Sequence, residues 1–215
     1  MSVYYFFSEY DKNEGFIDDI ANNLKVDLLG RTSIMFVSAM YHTDYYSEII
    51  LNWFKKIDIV FDEIFILDEK TNSLDAKRMI NNASCMYLMG GYPLEQIEYL
   101  KKNGLIETIH NSQAVIMGES AGAINMCKHS IYTKDSDHDK TMFYDGIGLV
   151  DITVEPHFIL TNIELLNDEL IPLSYQHCIY GICDKSAVIM KNLKAIYSGN
   201  VYKISNGIVQ FQPVE

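Results

Sequence analysis

Ser120 lies between glycines in Gly118-Glu119-Ser120-Ala121-Gly122, directly after the apolar run Ala114-Val115-Ile116-Met117 and ahead of Ala123-Ile124-Asn125-Met126-Cys127. A serine so placed at a strand-to-helix turn has the geometry of an activated nucleophile. The turn is so tight that positions two before and two after the serine have no room for side chains, and the hydroxyl is pushed out at the carboxyl end of the strand. The N–H of Ala121 then faces whatever the oxygen attacks, and a helix N-terminus adds positive partial charge where an oxyanion would develop. The same spelling also fits a glycine-lined turn whose serine merely caps the helix. The strand before it and the small-residue helix after it favour the nucleophile.

A serine nucleophile needs a base. His42, His110, His129, His138 and His177 occupy polar or helix-end contexts and read as surface residues. His157 differs: it lies in Val154-Glu155-Pro156-His157-Phe158, just past the strand-like Leu149 to Val154, where proline stiffens the exit. That is a sensible place to hold an imidazole beside another strand's end, with an ordinary loop histidine as the competing reading. The base in turn needs a carboxylate to fix its tautomer. Asp184 follows the apolar Ile179-Tyr180-Gly181-Ile182-Cys183, again at a strand end. Asp135 and Asp137 lie in a polar loop that reads most simply as a solvated acidic turn. Calcium is rejected there, because an EF-hand loop needs Gly at its sixth and Glu at its twelfth position, where this chain has Lys140 and Gly146. A second oxyanion donor is expected from Leu88-Met89-Gly90-Gly91-Tyr92-Pro93, at Gly91 or at Gly90. No G-x-G-x-x-G phosphate loop is present, and neither metal nor cofactor is expected.

Those residues have to be carried by a scaffold, and the sequence supplies one. Strand-like runs at Val3 to Phe7, Ser33 to Ser38, Ile64 to Leu67, Cys85 to Met89 and Ala114 to Met117 alternate with helical stretches around Phe16 to Leu24, Tyr45 to Ile57, Ala76 to Asn82 and Pro93 to Lys102. Near-continuous apolar strands separated by amphipathic helices predict an α/β, three-layer fold, with a mostly parallel sheet covered by helices on both faces. In such sheets ligands collect at the carboxyl ends of the strands, where Gly90-Gly91 and Ser120 fall. Past about residue 185 the pattern changes to short strands separated by Ser198-Gly199-Asn200 and Asn206-Gly207, which predicts antiparallel hairpins closing one edge of the sheet.

The 215 residues are expected to form a single domain spanning 1–215. A formal charge of -12 argues against nucleic acid and anionic membrane as partners. No apolar stretch reaches the length of a membrane span, and the N-terminal Met1 to Phe7 lacks the basic segment of a signal peptide. The four cysteines, Cys85, Cys127, Cys178 and Cys183, show no C-x-x-C spacing and read as buried reduced thiols of a cytoplasmic protein. The oligomeric state, monomer or homodimer, is left open.

The order and spacing of these pieces resemble the dipeptidase E (aspartyl dipeptidase) family of serine peptidases, relatives of cyanophycinase with a class I glutamine-amidotransferase-like sheet. The likeness rests on Gly90-Gly91, Gly118-Glu119-Ser120-Ala121-Gly122-Ala123, Tyr144-Asp145-Gly146-Ile147-Gly148-Leu149 leading to Pro156-His157-Phe158, and Gly181-Ile182-Cys183-Asp184. It implies a hydrolase of small peptides with Ser120 as nucleophile and His157 as base. The family's acidic position, usually Glu after a Gly-hydrophobic pair, matches Asp184, while Asp135 falls where relatives carry an acid in the loop after the elbow. Asp184 is preferred, since a carboxylate on a strand end is held more firmly. Family members that cleave after aspartate carry arginine shortly after the histidine. Here Phe158 to Gln176 holds neither arginine nor lysine, and Tyr92 replaces a small polar residue, so aspartyl preference does not carry over. An esterase or amidase on the same elbow, or a non-catalytic amidotransferase-like binding domain, are the alternatives.

Overall fold

The computed structural model describes residues 2–16, 18–38, 43–134 and 139–214. Within them, β1 (Val3–Phe7), β2 (Ser33–Val37), β3 (Glu63–Leu67), β4 (Cys85–Leu88), β5 (Val115–Glu119), β10 (Ala187–Lys191) and β11 (Lys194–Ser198) form a seven-stranded sheet in the order β11-β10-β1-β5-β4-β2-β3. The five from β1 to β3 in that order are parallel, and the β10–β11 hairpin joins β1 antiparallel. The mostly parallel, helix-covered sheet expected from the apolar runs is therefore present.

Side chains alternate across this sheet because successive Cβ atoms point to opposite faces. Tyr5 and Phe7 pack with Ile20, Leu24, Ile50 and Phe54 beneath α1 (Asp18–Asp27) and α2 (Thr43–Lys56). Phe6 packs on the other face, in a core shared with Ile80 of α3 (Ser73–Asn82), Ile97 and Leu100 of α4 (Pro93–Lys102), Ile109 of α5 (Ile106–His110) and Ala123 of α6 (Ala121–Met126). Among the described residues no helix is long and apolar enough to cross a membrane.

The C-terminal hairpins differ from expectation. Only β10–β11 closes the edge of the main sheet. The hairpin of β12 (Val201–Ser205) and β13 (Ile208–Gln212) belongs instead to a second sheet, β13-β12-β9-β8, with β9 (Ile179–Ile182) and β8 (Thr153–Pro156) paired in parallel. That sheet has its own small core of Phe158, Leu166, Leu170, Ile179 and Ile204, closed by a π-helical turn over Leu165–Leu170 that runs into α7 (Ile171–Leu173). A turn signal fixes the hairpin locally, but which sheet receives it depends on packing between distant segments. Two further strands, β6 (His129–Tyr132) and β7 (Met142–Asp145), form a ribbon of their own. The cysteines are free, but only Cys85 and Cys127 are buried, each thiol pushed up to about 12 by desolvation, whereas Cys178 and Cys183 are partly exposed because they flank β9 at its ends.

One buried polar network links the elements around the glycine pair. Asn125 Nδ2 donates to Pro93 O at 2.8 Å and Gln96 Oε1 at 2.9 Å, Tyr144 Oη donates to Asn125 Oδ1 at 2.9 Å, and Gln96 Nε2 donates to Val37 O and Met89 O at 3.1 and 3.3 Å. Leucine at Gln96 would leave several of these groups desolvated and unpaired, each costing about 1–3 kcal/mol. Gln96→Leu is expected to lower unfolding stability by roughly 3 kcal/mol, read as a lower denaturant midpoint at unchanged slope.

Candidate active site

The strand ends that matter converge on one rim. Parallel pairing of β1 with β5 places Phe7 opposite Glu119, so Ser8 and Glu9 leave β1 beside Ser120, whose N–H donates to Phe7 O at 3.0 Å. Parallel pairing of β8 with β9 likewise sets Pro156 opposite Ile182, which delivers His157 and Asp184 side by side. Ser120 itself has φ 49° and ψ −111°, a strained conformation for a residue with a side chain, held by what surrounds it. A Cβ on Gly122 would stand 2.1 Å from Leu88 O, and one on Gly118 would stand 2.6 Å from Met126 Sδ. Only glycine lets strand and helix approach this closely, as the pentapeptide predicted.

Ser120 Oγ lies 2.8 Å from His157 Nε2, and His157 Nδ1 lies 3.0 Å from Asp184 Oδ1. These three sequence-predicted residues are thus brought together. Asp135, the second choice for the acid, and Asp137 lie outside the described residues. The glycine pair lines the same cleft, a Cβ on Gly90 standing 3.5 Å from Ser120 Cβ, while Gly91 adopts φ 129°. Ala121 is the first residue of α6, so its N–H has no partner within the helix.

Two residues that sequence reasoning missed complete the arrangement. The Ser8 hydroxyl donates to Asp184 Oδ1 at 2.7 Å and accepts the His157 backbone N–H at 2.8 Å. Glu9 Oε2 lies 3.9 Å from His157 Nδ1, farther than Asp184. The available signal was their position just past an apolar strand, at the rim where ligands collect. Glu9, His157 and Asp184 also bring potential ligand atoms within 4.8 Å of one another, the one such group among the described residues. A cation bound at Nδ1 would occupy the atom that faces Asp184.

The cleft has a volume of about 240 Å³, and its lining includes Glu119, Tyr10, Lys12 and the α2 residues Tyr46, Ile49, Ile50 and Trp53. Glu119 precedes the serine and is half-buried in the cleft wall. Burial pushes its carboxyl up to about 7; the charge of Glu9 adds to this, while hydrogen bonds from Tyr87 Oη (3.2 Å) and the Tyr10 N–H oppose it. Tyr10, Tyr87 and Glu9 face this carboxyl, with Lys12 and His157 elsewhere in the cleft.

A description of peptidase family S51 matches residues 7–197. Among curated proteins none matches the sequence. Solved structures similar to this chain include a peptidase from an acI-B1 Actinobacterium, with TM-score 0.72 at 15% identity, covering 100% of this chain and 95% of that one. Another is a protein from Listeria monocytogenes EGD-e provisionally described as peptidase E, with TM-score 0.68 at 22% identity, covering 92% and 98% of the two chains. At these identities the likeness concerns the fold, and it agrees with the mostly parallel, helix-covered sheet expected from the sequence.

Two expectations follow. Gly122→Ala should cost more than about 3 kcal/mol in unfolding stability, because the added methyl meets a strand carbonyl that cannot move aside. A carboxyl raised from its ordinary value of 4.5 to about 7 makes the folded state bind more protons than the unfolded chain between those two pH values. Stability therefore falls as pH rises through that window and levels off above it. Glu119→Gln should remove the fall, stabilising the protein at pH 8 by up to about 3 kcal/mol and changing it little at pH 4, as followed by melting temperature.

Proposed function

The chain belongs to peptidase family S51 and is a serine-type peptidase, and from that premise we propose that Ser120, His157 and Asp184 form its catalytic triad for cleaving small peptides. Ser120 Oγ attacks the scissile carbonyl as His157 Nε2 takes its proton. Asp184, hydrogen-bonded to the Nδ1–H, holds the imidazole in the tautomer that can accept and stabilises the imidazolium that forms. The tetrahedral oxyanion is held by the N–H of Ala121 and by that of Gly91 or Gly90. His157 then gives its proton to the leaving amine, and water repeats the sequence on the acyl-enzyme. Ser8 acts as a positioning residue, holding the Asp184 carboxylate and the His157 backbone with one hydroxyl.

The observation that carries the reading is the 2.8 Å separation of Ser120 Oγ and His157 Nε2, two atoms from different sheets that meet in an open cleft. Dipeptides and tripeptides are the favoured substrates, since about 240 Å³ lies below the roughly 300–1,000 Å³ of ordinary ligand pockets. A fluorophosphonate should label Ser120 and no other residue, as mapped by peptide mass spectrometry. Ser120→Ala should abolish dipeptide turnover while the melting temperature stays nearly unchanged, and Asp184→Asn should lower kcat by about 10²–10⁴-fold. Full turnover by folded Ser120→Ala protein would rule the assignment out.

A further inference from the structure

The cleft beside Ser120 carries two carboxylates that the proposed chemistry does not use, those of Glu9 and Glu119. Next to Glu9 in sequence stands Tyr10, only 2% exposed, whose hydroxyl has no hydrogen-bond partner among the described residues although the residue lines the cleft. A buried hydroxyl left unpaired costs about 1–3 kcal/mol, so an orphan on a residue that lines a cleft points to a group that arrives with a ligand. Among the described residues no lysine or arginine pairs with Glu9 or Glu119. Lys12, the basic side chain of this cleft, stands over the Tyr46 ring at 5.1 Å instead.

Position narrows what that group is. Glu119 immediately precedes Ser120, and Glu9 lies 3.9 Å from an imidazole whose other nitrogen is 2.8 Å from Ser120 Oγ. Both carboxylates therefore line the same cleft as the nucleophile and its imidazole, where the group next to a scissile bond enters. The same cleft is lined by Tyr46, Ile49, Ile50 and Trp53, which follow one another at i, i+3, i+4 and i+7 along one face of α2. Trp53 is anchored there by donating its Nε1–H to Lys12 O at 3.0 Å.

Resting on Ser120 as nucleophile, we propose that Glu119 and Glu9, with the Tyr10 hydroxyl as acceptor, bind the free α-ammonium of the substrate's first residue, whose apolar or aromatic side chain lies on α2. The preferred substrates are then unblocked peptides that begin with a bulky apolar residue. A bound ammonium supplies a cationic partner for these carboxylates, and it holds Glu119 in its ionised form against the burial that opposes it.

The test compares Phe-Ala, N-acetyl-Phe-Ala, N-acetyl-Lys-Ala and Asp-Ala on wild type, Glu119→Gln and Glu9→Gln, with fluorophosphonate labelling of Ser120 alongside. Wild type should favour Phe-Ala over its acetylated form by about 10²-fold in kcat/KM, mostly through KM, and Glu119→Gln should cut that ratio to within about tenfold of unity. Glu9→Gln should reduce it less, since Glu9 is the more exposed carboxylate. Labelled Ser120 with equal turnover of free and acetylated Phe-Ala overturns the ammonium assignment and leaves the nucleophile standing. So does a preference that survives both substitutions. N-acetyl-Lys-Ala matching Phe-Ala would assign a side-chain ammonium instead. Asp-Ala as the best substrate, lost in Lys12→Ala, would overturn the apolar preference. Absence of labelling in folded wild type defeats both readings.

Discussion

The Ser8 hydroxyl is where the two sheets are tied together at the site. It sits at the end of β1 in the main sheet, donates to a carboxylate at the end of β9, and accepts a backbone N–H from the residue that leaves β8. Ser120 rides on the main sheet, while His157 and Asp184 ride on the smaller one. Without a fixed junction the 2.8 Å contact between Ser120 and His157 would be an average over relative motion of two layers. Neighbouring backbone bonds reinforce the tie: Lys185 N–H donates to Glu9 O at 2.8 Å, and Phe158 N–H donates to Ile182 O at 3.1 Å. Close geometry is what converts a serine and an imidazole into a reacting pair, and a displacement of about 1 Å can cost about 10²-fold in rate.

Local strain is concentrated at the same place. Ser120 and His157 both have positive φ, 49° and 54°, in a chain where most such positions are turns. Each such residue costs about 1–3 kcal/mol and persists only where surrounding packing over-determines it. At Ser120 that packing is the glycine-sided elbow between β5 and α6. At His157 the chain is held on one side by Ser8 and on the other by the Phe158 ring, which lies where Gly181 leaves room for it. The Asn125–Gln96 network extends the same logic to the glycine pair, since it fixes Met89 O and Pro93 O on either side of Gly90-Gly91.

Much of this was legible in the sequence, and the limits follow from physics. The parallel strands of the main sheet are buried on both faces, so they read as continuous apolar runs with helices between them. The pentapeptide around Ser120 carries its own steric requirement, and His157 and Asp184 each follow an apolar run that ends in a turn. Ser8 and Glu9 escaped notice because nothing local distinguishes them from any polar residues after a strand; their role comes from β1 lying beside β5. The second sheet escaped because β12–β13 has the same turn signature whether it extends the main sheet or joins β9. The elevated carboxyl of Glu119 depends on burial in the folded state and on the charge of Glu9, 110 positions away by number, neither of which its own sequence neighbours reveal.

The hydrogen-bonded state of the His157 ring tests the central claim most directly, by ¹⁵N and low-field proton resonance of the folded protein. The account predicts a protonated Nδ1 whose proton resonance disappears in Asp184→Asn, and an unprotonated Nε2 whose nitrogen resonance shifts in Ser120→Ala. A ring indifferent to both substitutions, or one carrying its proton on Nε2 at neutral pH, would contradict it.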